Sequence, residues 1–176
     1  MPLLELEVGR MVEPSLEARI RAARVVILSA NKLTSQLLRS QLPPMASLSG
    51  CEDMVHARAA LATKVFDLAI VDLDPGSSFD GLAIIEQLRQ LADPKRSGLP
   101  VILLVANPTK DQVVRARKAG ITQIVLKPFS TGTLQTHIKN ALGEAAKTGQ
   151  AAKVAPAKPA DEAPPSDEPS DPDWMV

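Results

Sequence analysis

From Arg24 onward one pattern repeats: short runs of Val, Ile and Leu without polar alternation, separated by stretches whose apolar residues recur at helical spacing. A strand covered on both faces reads as a continuous apolar run, so this rhythm constrains the chain to a parallel sheet packed between helices. Strands are predicted over 25–28, 46–48, 66–71, 101–105 and 121–126. The 46–48 run is short and weak, which places it at an edge, whereas the uniformly apolar 66–71 belongs in the centre. Helices are predicted over 32–41, with Leu33, Leu37 and Leu38 on one face and Pro43-Pro44 stopping it, and over the alanine-rich 53–62. A third carries Leu82, Ile85 and Leu88 between the Pro75-Gly76-Ser77-Ser78 loop and Asp93-Pro94. Thr109 and Gln112 form a capping box for a fourth over 110–119, ended by Gly120. The last begins near Ser130, lines up Leu134, Ile138 and Leu142, and ends about Gly143. Five strands and five helices make an α/β domain over 24–143.

Of the 176 residues, some two thirds form this domain, enough to bury a real core. The 20 acidic and 20 basic residues cancel, so no overall field steers the chain to nucleic acid or to an anionic membrane. Cys51 is the sole cysteine, which excludes an internal disulfide and a cysteine-built zinc site. Glu5 and Glu7 interrupt the region where a signal peptide needs a basic and then an apolar segment, and no apolar run is long enough to span a bilayer. A cytoplasmic protein is expected. No internal repeat is present.

The flanks differ from the domain. Residues 1–23 form an N-terminal extension with a helix start at Pro14-Ser15, able to pack on the domain or on a second copy, or to stay disordered. Residues 144–176 pass from Ala, Lys and Pro to Pro, Asp, Glu and Ser, with too little apolar surface to repay the entropy of ordering, and are expected to be disordered. The segment ends in Trp174-Met175-Val176, where the only tryptophan follows a stretch whose charged residues are all acidic. Two readings stand: a solubilising tail, or a docking motif with an aromatic anchor on a semi-rigid proline spacer.

Two strands deliver charge to the same edge. Asp72 follows the run 66–71, and Lys127 follows 121–126 and precedes Pro128-Phe129. Ligands of open α/β sheets bind at the carboxyl ends of strands, so a carboxylate and an ammonium can meet there.

The order of elements, the spacing, and the segments around Asp72 and Lys127-Pro128-Phe129 together resemble the receiver domain of bacterial two-component response regulators. The resemblance covers about 24–142. It implies the doubly wound, flavodoxin-like strand order 2-1-3-4-5. It also implies that Asp72 stands where a histidine kinase or phosphotransfer protein donates a phosphoryl group, and Lys127 where an ammonium contacts it. At other positions the pattern is altered. The acidic pair expected after the first strand, which helps hold magnesium, is replaced by Ser29-Ala30-Asn31. Val105 replaces a hydroxyl residue that bonds the phosphoryl group, and Ile124 replaces a switching aromatic. A branched alkyl group donates no hydrogen bond. Asp74 is a candidate substitute carboxylate.

The expectation is therefore a stand-alone atypical receiver, not an enzyme beyond at most its own aspartyl phosphorylation, acting through contacts with a kinase, a phosphotransfer protein or another regulator. The alternative is a working phosphoacceptor on Asp72. No cofactor is expected, magnesium entering only under the alternative. No nucleic-acid or membrane partner is expected, and a homodimer is compatible with the fold. For Asp72 the plain reading is a strand-end aspartate pairing with Lys127, and for Asn31 a helix cap. His56 and His137 read as solvated helix residues, and Cys51, Met11, Met45 and Met54 as packing. A flavin or nucleotide site is disfavoured by the lack of a glycine-rich loop after the first strand.

Overall fold

The computed structural model describes residues 15–74, 76–121 and 123–147. The elements are α1 (Leu16–Ala22), β1 (Arg24–Leu28), α2 (Lys32–Gln41), β2 (Ser47–Cys51), α3 (Met54–Thr63), β3 (Leu68–Leu73), α4 (Gly81–Arg89), α5 (Pro94–Ser97), β4 (Val101–Val105), α6 (Lys110–Lys118), β5 (Gln123–Leu126) and α7 (Thr131–Lys147). The strands form one all-parallel sheet in the order β2-β1-β3-β4-β5. This is the flavodoxin-like order, with β2 at one edge and β3 in the centre.

The uniform apolar runs are explained by burial on both faces. Every residue of β3 and of β4 is buried. Alternate side chains feed two cores. Val26, Leu28, Ala69, Val71 and Leu103 pack under α3, α4 and α6. Val25, Ile27, Leu68, Ile70 and Ile102 meet α2, α7 and Ile20 of α1 on the other face. Each fully buried Leu or Ile contributes roughly 1.5–3 kcal/mol relative to exposure, which makes these two layers the dominant stabilising term.

Local signals set the helix ends. Asn31, Asp53, Asp80 and Asp93 each accept backbone N–H bonds as N-caps. Thr109 and Gln112 form the reciprocal capping box. Gly120 takes φ 68°, a left-handed turn that ends the α6 segment at little steric cost.

Several boundaries differ from expectation. β3 is displaced towards the C-terminus and ends at Leu73, so Asp72 lies within the strand and Phe66 packs beside the sheet before the strand begins. β2 runs over Ser47–Cys51 instead of 46–48 because it is held in register against all of β1, Arg24 to Leu28. The expected apolar face of α2 is split. Leu38 is buried with Ser35, whereas Leu33 is 74% and Leu37 54% exposed. Leu38 and the following Leu42 supply the contact with the core, and Leu33 and Leu37, one turn apart, cover the outer side.

Asp93-Pro94 does not simply end a helix: Asp93 caps the extra short helix α5. The last helix continues past Gly143 to Lys147. Its closing turns lie against α1, where a Cβ on Gly143 would meet Leu16 at 3.9 Å. The expectations for 1–14 and 148–176, including Trp174, Met175 and Val176, lie outside the described residues.

Candidate functional site

The sheet register assembles the pocket. Leu28 of β1 is opposite Val71 of β3, which brings the next residue, Ser29, beside Asp72. Leu73 pairs with Val105, and Val105 with Leu126, so Lys127 begins one strand further away, beyond the end of β4. Its backbone N–H donates to Val105 O at 2.8 Å. The long, flexible lysine side chain then spans the end of β4 and brings its ammonium to Asp72. The Lys127-Pro128 peptide bond is cis.

Asp72 is 2% exposed. Its Oδ1 forms an ion pair with Lys127 Nζ and accepts no other hydrogen bond from the described residues. Its Oδ2 accepts a hydrogen bond from the Ser29 hydroxyl at 2.9 Å. Ser29 Oγ in turn accepts from Asn31 N at 3.1 Å, so the hydroxyl links the anion to the start of α2. Asp74 Oδ1 lies 3.2 Å from the same ammonium. Lys127 therefore bridges two carboxylates, one buried and one partly exposed. Burial works against the Lys127 charge, but hydrogen bonds and attraction from Asp72, then from Asp74, outweigh it and raise its pKa above the ordinary 10.5.

Asn31 Oδ1 accepts from Leu33 N at 2.9 Å and Thr34 N at 3.3 Å, so its side-chain oxygen is used as the α2 cap. Ala30 is exposed and has no functional group to contribute. Val105 is 2% exposed at the end of β4, and Ile124 is partly buried against the core. These two positions are filled by hydrocarbon.

The receiver resemblance implies magnesium, and the donor set fits that ion poorly. Magnesium needs a near-octahedral set of hard oxygens, usually including one or two carboxylates. Here Asp72 and Asp74 share an ammonium that would repel a neighbouring divalent cation, while Ser29 and Asn31 direct their oxygens to internal partners. No cluster of three or more His, Cys, Asp or Glu suited to a metal occurs among the described residues.

Ser29 has a part that residue-by-residue reading missed: it donates to Asp72. The signal available was adjacency, since the order 2-1-3 places the end of the first strand beside the third. His137 is not simply solvated, because Nδ1 lies 2.6 Å from Gln123 Oε1 of β5. His56 pairs with Asp53 on the exposed start of α3. Cys51 is a free, buried thiol whose pKa burial pushes up. Met45 and Met54 pack against the two cores. No described helix is long and apolar enough to cross a membrane.

Fold and pocket define a doubly wound α/β domain with a buried aspartate and a lysine at its carboxyl edge. The chain belongs to the response regulator receiver domain family, whose sequence profile matches residues 19–139. It is 29% identical over 93 residues to the transcriptional regulatory protein ZraR of Salmonella typhimurium, a match covering 53% of this chain and 20% of that protein. It is also 29% identical over 85 residues to chemotaxis protein CheY-3 of Vibrio cholerae, covering 48% of this chain and 62% of that one. The chain thus spans less than two thirds of the length of these curated relatives. Among solved structures, V. cholerae chemotaxis protein CheY4 superposes with a TM-score of 0.60 at 18% identity, covering 69% of this chain and 99% of that one. The signal receiver domain of an HD domain-containing protein from Pseudomonas fluorescens Pf-5 gives 0.63 at 21% identity, covering 72% and 99%. These likenesses establish the shared fold.

Proposed function

We propose that this chain is an atypical receiver of two-component signalling that acts through protein contacts in one fixed conformation, with Asp72 serving as an internal anion. The observation that carries this reading is the occupation of both Asp72 oxygens, Oδ1 by Lys127 and Oδ2 by Ser29. Ser29-Ala30 supplies no carboxylate beside it, and Val105 and Ile124 supply neither a hydroxyl nor a ring to relay a change at Asp72. The supported partners are a histidine kinase, a phosphotransfer protein or another regulator, met in the cytoplasm. Incubation with a small-molecule phosphodonor and magnesium, followed by intact mass measurement, is expected to leave the mass unchanged. Stable addition of one phosphoryl group that is lost in Asp72→Asn overturns the proposal.

The second reading makes Asp72 a working phosphoacceptor. Its support is that Asp72, Lys127 and Asp74 already converge at the carboxyl edge of the sheet. Transfer would form a bond from an Asp72 carboxylate oxygen to the donor phosphorus as the donor's phosphorus–leaving-group bond breaks, the leaving group departing with the bonding electrons and taking up a proton, while Lys127 offsets the phosphoryl charge. Backbone chemical shifts during a magnesium titration distinguish the two. The atypical reading expects no response around Asp72 at millimolar metal, and expects Ser29→Asp combined with Ala30→Asp to create one.

A further inference from the structure

The outer side of α2 combines exposed leucines with nearby basic residues. Leu33 and Leu37 stand one turn apart on it, 74% and 54% exposed. On the β2 side of the same helix runs a groove of about 240 Å³ lined by Lys32, Ser35, Gln36, Arg39, Gly50 and Glu52, none of them one of the two leucines. Neither Lys32 nor Arg39 forms an ion pair with a described residue. The Ser35 hydroxyl is buried, with the residue 4% exposed, and has no hydrogen-bond partner among the described residues. Gly50 lets the Arg39 guanidinium lie across the strand, since a Cβ there would come within 2.8 Å of Nη2. Lys32 and Arg39, without an ion-pair partner among the described residues, outweigh Glu52 and leave a groove chemically suited to carboxylates on the same helix as the exposed leucines.

We propose that the occupant is residues 161–176 of this same chain. Every charged residue from Asp161 to Asp173 is acidic, and Trp174-Met175-Val176 follows directly. Asp171 and Asp173 meet Lys32 and Arg39, while Trp174 and Met175 cover Leu33 and Leu37. The prolines at 164, 165, 169 and 172 oppose regular strand addition along the open β2 edge, so recognition runs through side chains. Reach is sufficient. The chain leaves α7, which packs on the same face of the sheet as α2, with Gln135 Nε2 donating to Gln41 O at 3.4 Å. A stretch of the length of residues 148–160 can span at most about 45 Å, against about 15 Å for the length of α2. A second copy presenting the same groove would oppose cation to cation, whereas the acidic segment is complementary.

Trp174 is the only tryptophan, so its emission reports the segment without interference. Emission maximum and acrylamide quenching of the full chain are compared at low salt with those of a peptide of residues 161–176. Sedimentation at each protein concentration reports the oligomeric state, and circular dichroism checks the fold of each variant. The expected result is a blue-shifted, quencher-protected Trp174 in a monomer, independent of protein concentration. Leu33→Ser/Leu37→Ser should return it to the peptide values, and so should Lys32→Glu/Arg39→Glu, which leaves the leucines in place. Emission and quenching identical to the free peptide overturn the proposal. So does protection that survives both double variants, or that appears only with dimer formation, the latter assigning the surface to a second copy.

Discussion

Replacing Lys127 by Met separates the two halves of the pocket network while keeping a long apolar side chain. Asp72, at 2% exposure, would lose its ion-pair partner and retain only the Ser29 hydroxyl. Removing one partner of a buried pair typically costs about 3–5 kcal/mol, because the remaining charge is desolvated without compensation. The Lys127 side chain is 22% exposed and Asp74 32% exposed, so water can partly replace the ammonium; we expect about 3 kcal/mol, the lower end of that range. Asp72→Asn removes the buried charge itself and leaves Lys127 with Asp74, so a smaller loss of about 1 kcal/mol is expected. The double variant should be more stable than Lys127→Met alone, giving a coupling energy that isolates the pair.

Urea unfolding followed by far-ultraviolet circular dichroism is the suitable assay. The chain has no tyrosine, and its single tryptophan is remote in sequence from the domain core. The pH dependence has a definite sign. The folded-state pKa of Lys127 is raised, so the stabilisation is present below 10.5 and disappears as pH rises through the elevated value. Wild type and Lys127→Met should therefore converge only in strong alkali. Equal stability of the two at neutral pH, within about 0.5 kcal/mol, would refute the claim that Lys127 holds the buried anion.

Three further outcomes follow from the packing. Gly81→Ala should destabilise by about 1–3 kcal/mol through overpacking, since the new Cβ would stand 2.5 Å from Val71 Cγ1; an unchanged urea midpoint contradicts the close approach of α4 to β3. Arg89→Met should cost about 2 kcal/mol, because Arg89 donates to Ala119 O at 2.8 Å and to Ser97 O at 2.6 Å, tying α4 to the ends of α5 and α6. Faster amide exchange at those ends is the accompanying sign, and unchanged exchange with unchanged stability counts against it. In an NMR titration, His56 should show a midpoint above 6.5, raised by its hydrogen bond and attraction to Asp53. Its small contribution is present below 6.5 and lost as pH rises through the folded value, and Asp53→Asn should abolish the shift.

Much of the pocket could be placed from spacing alone. An apolar run followed by Asp72 and another followed by Lys127 put both residues at one sheet edge, because parallel strands all present their carboxyl ends together. The Thr109-Gln112 box was equally legible, since capping depends on residues three apart and on nothing distant. The Ser29 contact was harder to see, because it joins positions 43 apart and needs the strand register as well as the strand order. The α2 surface was misread for a related reason. Leu33, Leu37 and Leu38 have similar hydrophobicity, and only the packing of Ser35, Leu38 and Leu42 beneath them distinguishes the inner side from the outer.

Apolar periodicity and strand-end positions are local properties of the chain, so they sufficed to place the fold class and the two charged residues at its edge. Only the folded chain shows Asp72 held between Ser29 and Lys127, Asp74 sharing the same ammonium, and two leucines left on the surface of a helix whose Lys32 and Arg39 have no ion-pair partner among the described residues. Those facts depend on lateral register and helix rotation, which are set by the simultaneous burial of two faces of one sheet.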